Sequence, residues 1–341
     1  MAFLLRNVRK EDFADLRRLG KELNTVNLPS SPRELRGMIG RSLASFDGEF
    51  VRRPDRAQFL FVLEDLLQNR VVGTSKIYAR HGTPTRPHVY FQVLREKVRS
   101  KTLGVDFLRT FYRLKQDQKG YTEIGGLVLE KEYRRHPEQL GRQLSFIRFL
   151  FMKSHPAWFR HRVIAELLPP LHPGTPSSLY QFYGFPLTRL PYHKADRLSF
   201  HNKEFILKLF PKADLYHDIL PPQVQEDIGK TGPGSEAARS LLMRIGFKFA
   251  HQVDPFDGGP YYAARRTGIS IYRQTRACTY GGMAEGGRVS HHFILWEDKE
   301  GFFSILRRGR VQKNKFYLLE GTPVKSTPQI GGKVWVYPWK D

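Results

Sequence analysis

Residues 121–152 constrain the fold more than any other part of the chain. A short apolar run (Ile124, Leu127, Val128, Leu129) leads into a basic, acid-flecked loop (Lys131, Glu132, Arg134, Arg135, His136). Gly141 follows, and then apolar residues at helical spacing: Leu144, Ile147, Leu150 and Phe151. This order predicts strand, loop, helix. Such a junction aims unpaired backbone N–H groups at one point, and the helix dipole adds positive potential there, which suits a diphosphate-sized anion. Arg134, Arg135 and Arg142 bracket the turn, and Gly141 lets backbone approach a ligand with no Cβ in the way. The competing reading of the same residues is a plain loop between core strand and core helix, its arginines facing water.

At 341 residues the chain can bury a full core, and one large domain with a smaller one is expected. Its 40% hydrophobic and 26% charged residues are those of an ordinary globular protein. No apolar segment reaches the roughly 18 residues of a membrane span, and the run at the N-terminus is too short for a signal peptide. The cytosol is therefore the expected compartment. A single cysteine, Cys278, excludes an intrachain disulfide and a cysteine-based zinc site. The histidines show no ligand spacing beyond His291-His292, whose side chains point to opposite faces of a strand, so no metal is expected. The net charge of +23 attracts polyanions. The basic residues are nevertheless spread along the chain, without a block or a nucleic-acid-binding signature, so nucleic acid is expected to bind only nonspecifically.

Phe3 to Val8, followed by Leu16, Leu19 and Leu23, reads as strand then amphipathic helix. Pro29 breaks it, and Ser30 and Ser31 are available to cap a helix over 33–43. Residues 59–66 and 71–78 form a hairpin about Gln68, Asn69 and Arg70. The stretch 81–120 is the least regular, with a strand at 89–93 and a helix at 105–114. After the central helix come a strand at 162–168 interrupted by Glu166, a Pro-rich loop at 169–174 and a capped helix over 177–185 ending at Gly184. Helices at 205–211 and 235–245 follow, the second closing on Gly246-Phe247. Past Pro260 the texture changes to short β-rich runs at 269–272, 292–296, 302–306, 316–319 and 334–337. Gly281-Gly282, Gly286-Gly287 and Gly331-Gly332 separate them as turns. The expected fold class is α+β, with residues 1–265 as one domain and 266–341 as a small β-barrel-like domain.

A strand, then Arg-x-x-Gly-x-Gly or a relative of it, then a helix is how the GNAT superfamily of acyl-CoA N-acyltransferases binds pyrophosphate. Residues 134–141 resemble that pattern, keeping Gly141 and placing Gln139 at the earlier glycine. Longer segments resemble the arginine N-succinyltransferase family in order and spacing. They are Phe61-Val62-Leu63-Glu64-Asp65, Arg148 to Met152, Val163-Ile164-Ala165-Glu166, Ala195-Asp196 leading to Phe205 and Tyr216, and Phe256-Asp257-Gly258-Gly259-Pro260. The resemblance implies a GNAT-type mixed central sheet flanked by helices, with an appended β-domain. It further implies succinyl transfer from succinyl-CoA to the α-amine of arginine, with acyl-CoA as co-substrate and no permanently bound cofactor. Leu127, Val128, Leu129, Arg134, Arg135, Gly141 and Arg142 would then serve acyl-CoA, and Tyr180 and Asp257 the amino-acid substrate.

Acyl transfer from a thioester to an amine needs the CoA held, the amine deprotonated and the oxyanion met by a donor. Glu166 suits either a guanidinium, as a bidentate partner, or a base working through water; a structural ion pair at a strand end is the equal alternative. The chain departs from the family pattern at two places. The histidine of an Ile-Gly-x-x-His-Pro loop is Gly232 here, and Leu168-Pro169 replaces an arginine and a glycine. Gly232 cannot move protons, which leaves His217 as the nearest catalytic substitute beside Glu166. Two other functions remain open: acyl transfer to another amine or from another acyl group, and a catalytically silent GNAT-like binding protein. Expected partners are small molecules and no membrane, with self-assembly or assembly with a second chain left undecided.

Overall fold

The computed structural model describes residues 3–23, 28–29, 31–172, 177–284, 288–319 and 327–340. Ser30, the end of the Pro-rich loop at 173–174 and the Gly286-Gly287 turn lie outside the described residues. In chain order the strands are β1 (Phe3–Asn7), β2 (Gln58–Asp65), β3 (Arg70–His81), β4 (His88–Ser100), β5 (Val105–Asp117), β6 (Tyr121–Leu129), β7 (Arg162–Glu166), β8 (Leu215–Tyr216), β9 (Lys248–Val253), β10 (Pro260–Arg265), β11 (Arg276–Met283), β12 (Ser290–Asp298), β13 (Gly301–Gln312), β14 (Lys315–Leu318) and β15 (Lys333–Pro338). The helices are α1 (Phe13–Leu23), α2 (Pro32–Phe46), α3 (Leu140–Ser154), α4 (Phe185–Thr188), α5 (Tyr192–His201), α6 (Glu204–Leu209), α7 (Pro222–Asp227), α8 (Glu236–Arg244) and α9 (Ser270–Gln274). Two compact units result. The first comprises Met1–Arg80, Thr122–His161 and Arg265–Asp341, the second His81–Tyr121 and Arg162–Ala264.

In the first unit the strand order is β12-β15-β11-β14-β13-β1-β2-β3-β6. A further pairing of β12 with β13 closes β11–β15 into a five-stranded barrel. Its core is Cys278, Ile294, Trp296, Phe303, Phe316 and Val336. The barrel is continuous with the sheet because β13 pairs antiparallel with β1, Leu5 opposite Ser304. On one face of that sheet, Leu16 and Leu19 of α1 and Leu35 of α2 pack on Leu60 and Val62, the amphipathic arrangement expected of helices covering a sheet. α3 is apolar nearly all round and is buried accordingly. Phe151 meets Phe59, Phe61 and Phe302, while Phe146 meets Tyr337 and Trp339. The β2–β3 hairpin turns at Asn69, whose φ of 49° is a left-handed turn conformation.

The second unit orders its strands β7-β10-β9-β4-β5-β8. Its core gathers Val89, Phe91, Tyr112, Leu179, Tyr180, Phe210 and Phe256. The segment expected as a helix over 105–114 is the strand β5, paired with β4 along its whole length. Val105, Leu108 and Phe111 mimic helical spacing. Two-sided exposure in this hairpin removes the alternation that marks a half-buried strand, and the non-local pairing decides the outcome. The run at 269–272 is likewise not a strand but lies in the short helix α9, and Gly281-Gly282 is not a turn but the end of β11, where the register shifts. Ser31 stands at the N-cap of α2 without a side-chain cap bond. Residues 180–184 wind as a single π-turn leading into α4, and Gly184 is required there: a Cβ would lie 2.4 Å from the Tyr180 ring.

β3 buries a lysine completely. Lys76 Nζ donates to the Tyr78 hydroxyl at 2.6 Å, and burial, opposed by the charge of Glu123, pushes its pKa down to about 7 from 10.5. A lowered folded-state value means that the stability from this group is complete above 10.5 and is lost as pH falls through about 7. Lys76→Met is therefore expected to raise the unfolding free energy at pH 7, on the order of 4 kcal/mol from the shift. The gap between variant and wild type should close as pH rises toward 10. Urea unfolding at pH 7 and pH 9.5 checks this.

Candidate active site

In the first unit β6 carries Gly126 at a left-handed φ of 56° in mid-strand, a conformation that favours glycine. The Gly126 carbonyl accepts from Thr74 Oγ1 at 2.9 Å. Leu127, Val128 and Leu129 follow Gly126, with Val128 buried. The strand ends at Glu130, a buried carboxylate gripped by Arg18 and by Arg70 Nη1, while the Glu130 N–H donates to Val72 O at 3.1 Å. The Tyr133 hydroxyl then donates to Asp65 Oδ2 at 2.8 Å. These anchors leave Arg134 and Arg135 exposed at the turn, although Arg134 Nε donates back to Leu129 O. Gln139 takes a left-handed φ of 54° at the N-cap of α3. At Gly141 a Cβ would meet nothing nearer than Leu129 Cδ2 at 3.8 Å, so no protein atom requires glycine there. Arg142 is committed to protein: its guanidinium lies 4.2 Å over Trp339, and Nη1 donates to Gln139 Oε1.

In the second unit three carboxylates converge. Oxygens of Glu166, Asp254 and Asp257 all lie within 4.8 Å of one another. The Tyr261 hydroxyl reaches Glu166 Oε2 at 2.9 Å and Asp254 Oδ2 at 3.2 Å. Asp257 accepts from the Gly259 N–H at 2.7 Å and from the Tyr192 hydroxyl at 3.4 Å. Burial, reinforced by the charge of Asp254, holds the Asp257 carboxyl well above the usual carboxylate range. Burial likewise pushes Asp196 up to about 6. A cation entering this cluster relieves like-charge repulsion, so a hard metal ion, an ammonium or a guanidinium each matches its chemistry.

Neighbouring loops are held by close backbone approach. The Leu167 N–H donates to Pro260 O, the Gly229 N–H to Gly258 O and the Gly232 N–H to Leu168 O, at 3.1, 2.8 and 2.9 Å. At Gly259 a Cβ would lie 2.5 Å from Leu167 O, and at Gly232 it would lie 2.4 Å from Pro169 O. The two departures noted in the sequence, Leu168-Pro169 and Gly232, thus touch each other. Thr231 Oγ1 beside them is buried with no hydrogen-bond partner among the described residues.

Of the residues singled out from sequence, the structure brings Glu166 and Asp257 together and gathers Leu127, Val128, Leu129, Arg134, Arg135, Gly141 and Arg142 about the end of β6. It does not bring His217 to the carboxylates. His217 follows the edge strand β8, its Nδ1 2.9 Å from the Tyr112 hydroxyl, and β5, β4 and β9 separate β8 from β10. Four strand spacings amount to roughly 19 Å. Tyr180 is a core residue: it is 2% exposed and stacked on Phe256, and its hydroxyl donates to Leu190 O, so it presents no polar group to an acceptor. Asp254, Tyr192, Asp196 and Tyr261 were missed. The one available signal was a second aspartate three residues before Asp257.

A strand ending on a basic loop at a helix N-terminus, within an α+β chain, fits the GNAT-type fold of acyl-CoA-dependent N-acyltransferases, the class to which similarity to known proteins assigns this chain and whose co-substrates are acyl-CoA and an amine. The sequence matches the arginine N-succinyltransferase beta subunit family over residues 3–271, and the chain belongs to the arginine N-succinyltransferase family. Arginine N-succinyltransferase from Yersinia pestis is 33% identical over 274 residues, 80% of this chain and 77% of the relative. That of Photorhabdus laumondii is 30% identical over 276 residues, 80% and 79% respectively. The solved structure of arginine/ornithine succinyltransferase subunit AI from Pseudomonas aeruginosa has the same fold, with a TM-score of 0.81 at 23% identity over 99% of this chain and 98% of its own. The family match stops at residue 271, just ahead of β11.

Gly232 has an ordinary φ of −68°, so what excludes a side chain there is contact alone. Gly232→Ala is expected to destabilise by about 1–3 kcal/mol, and Gly232→His by more. Calorimetric melting temperatures of the two variants measure it.

Proposed function

We propose that this chain is an arginine N-succinyltransferase, joining the succinyl group of succinyl-CoA to the α-amine of L-arginine and releasing CoA. The observation that carries this reading is that the family match, residues 3–271, spans both the β6–α3 junction and the carboxylate cluster. In it the N–H groups that open α3, with Arg134 and Arg135, receive the CoA diphosphate. The strand segment 127–129 receives the amide-rich pantetheine arm as an added strand would be received. Glu166, Asp254 and Asp257 receive the acceptor's guanidinium, which compensates their mutual repulsion. The reaction belongs in the cytoplasm, and the word "subunit" in the names of the matched family and of the matched structure supports an assembly of more than one chain.

Two measurements test the reading. Free CoA at millimolar concentration should raise the melting temperature by linkage. Gly141→Ala should keep that shift because the space is open, and Gly141→Glu should abolish it by placing a negative charge at the diphosphate. No shift in wild type removes the acyltransferase reading.

Arginine-dependent release of CoA thiol from succinyl-CoA should be seen, with citrulline, the neutral isostere, a far poorer acceptor. Asp254→Asn should raise the KM for arginine by roughly 30- to 150-fold, the 2–3 kcal/mol lost when one partner of a buried charge pair is removed. Asp257 and Asp196, on which the charge of Asp254 in the cluster acts, both have raised folded-state values. Their protonated forms dominate at low pH, so arginine affinity should rise as pH increases through about 6. Equal rates with arginine and citrulline would exclude the guanidinium role.

A further inference from the structure

The loop leaving β7 carries a histidine that sequence reasoning passed over. His172 Nε2 lies 3.0 Å from Asp227 Oδ2 and 3.2 Å from Oδ1. Asp227 is buried at the end of α7, while the imidazole is 41% exposed. Two further groups dress the carboxylate. Ser178 Oγ donates to Oδ2 at 2.7 Å, and Gln223 Nε2 stands 3.3 Å from each oxygen. Gln223 Nε2 is also 3.2 Å from His172 Nε2.

An ionised carboxylate facing Nε2 fixes that nitrogen as the N–H of a neutral imidazole and leaves the Nδ1 lone pair as the base. A buried acid that orients and supports a half-exposed imidazole is the logic of the catalytic triads. The pair sits in the laced body that holds the carboxylate cluster. Asp227 is followed directly by Ile228 and Gly229, which bonds Gly258, and the loop from Glu166 to His172 includes Leu168 and Pro169, against which Gly232 packs. The position where Gly232 excludes any side chain is therefore in contact with the same loop that carries His172.

We infer that His172, held by Asp227, is the proton-transfer group for the acceptor amine, an inference that rests on the arginine N-succinyltransferase reading. The arginine ammonium gives one proton through Nδ1 to solvent and becomes a free amine. Its nitrogen attacks the thioester carbonyl carbon, the C–N bond forms and the C–S bond breaks. The second proton, lost from nitrogen as the amide forms, balances the departing thiolate, which leaves as the CoA thiol.

The test follows thiol release from succinyl-CoA and arginine with wild type, His172→Ala, His172→Gln and Asp227→Asn across pH, with and without added imidazole. Gln at 172 can still donate to Asp227, so it separates proton transfer from the loop contact and guards against simple misfolding of the alanine variant. Expected results are a kcat lower by roughly 10²–10⁴-fold in both His172 variants, with the KM for arginine and the CoA-induced melting shift kept. The acidic limb of the pH profile should be lost, imidazole should partly restore His172→Ala, and Asp227→Asn should also lower kcat. Wild-type kcat and pH profile in His172→Gln would overturn the inference. So would a loss in His172→Ala that imidazole does not restore and His172→Gln does not share, since that is a structural role. If wild type binds CoA yet releases no thiol with arginine, the arginine reading has failed first and this one falls with it.

Discussion

The double burial of α3 is the constraint on which the proposed anion-binding end of this molecule depends. A helix packed on one face can tilt or slide at modest cost. α3 is instead held between the aromatic side chains of β2 and the C-terminal end of the barrel, with Phe151 among Phe59, Phe61 and Phe302 and Phe146 against Tyr337 and Trp339. Its N-terminus is consequently fixed relative to β6. Glu130, bound by two arginines, fixes the other end of the intervening loop. Between these anchors Gly73 lets β3 approach so closely that a Cβ would lie 2.8 Å from Val128 O. Preorganisation of this kind lets backbone N–H groups act on a ligand without an ordering cost at binding.

In the second unit the organising principle is the opposite. Tyr192 of α5 reaches the carboxylate cluster from a helix, and the cluster depends on glycines that admit backbone to backbone. Gly232 and Pro169 illustrate how such contacts couple positions far apart in sequence. A residue with a Cβ at 232 and the present course of residues 168–170 exclude each other sterically. This also explains why the cluster is charge-rich and yet stable. Tyr261 spans Glu166 and Asp254, backbone N–H groups of Phe256 and Asp257 donate to Asp254, and that of Gly259 donates to Asp257. Hydrogen bonds thus offset the desolvation that buried carboxylates incur.

Local order was readable wherever the residues that define an element are neighbours in the chain. The strand, loop and helix over 121–152, the hairpin about Asn69 and the helix closing on Gly246 all follow from period and punctuation. What failed was non-local. β5 carries helix-spaced apolar residues, and only its pairing with β4 makes it a strand. The short run beginning at Ile269 helixes because α9 packs on α3. The change in texture past Pro260 is real as composition, whereas compactness groups the barrel with the N-terminal strand through the pairing of β13 with β1. Site residues divided in the same way. Glu166 and Asp257 stand out because a carboxylate interrupts an apolar or glycine-rich run. The contact of Tyr261 with Glu166 and the pairing of His172 with Asp227 join positions 95 and 55 residues apart, and the chain between them carries no local mark of it; Asp254 meets Glu166 in the same way. His217 stands near Gly232 in sequence alone, and strand order separates it from the carboxylates.

The charge distribution resolves an apparent contradiction in the proposed reaction. A chain of net charge +23 repels a cationic amino acid and attracts a polyanionic thioester. Long-range field, however, is screened within about 8 Å at physiological ionic strength, whereas groups shielded from solvent are screened far less. Diffuse surface charge therefore governs the approach of the anion, and a compact acidic cluster governs the capture of the cation. Glu166 stands exposed at the rim, while Asp254 and Asp257 are buried, away from the lysines and arginines that neutralise a more accessible carboxylate, as Arg113 does Asp214. Burial of Asp257 behind Tyr192 and Gly259 keeps it from such partners and favours its protonated form, so that an entering cation would restore its negative charge.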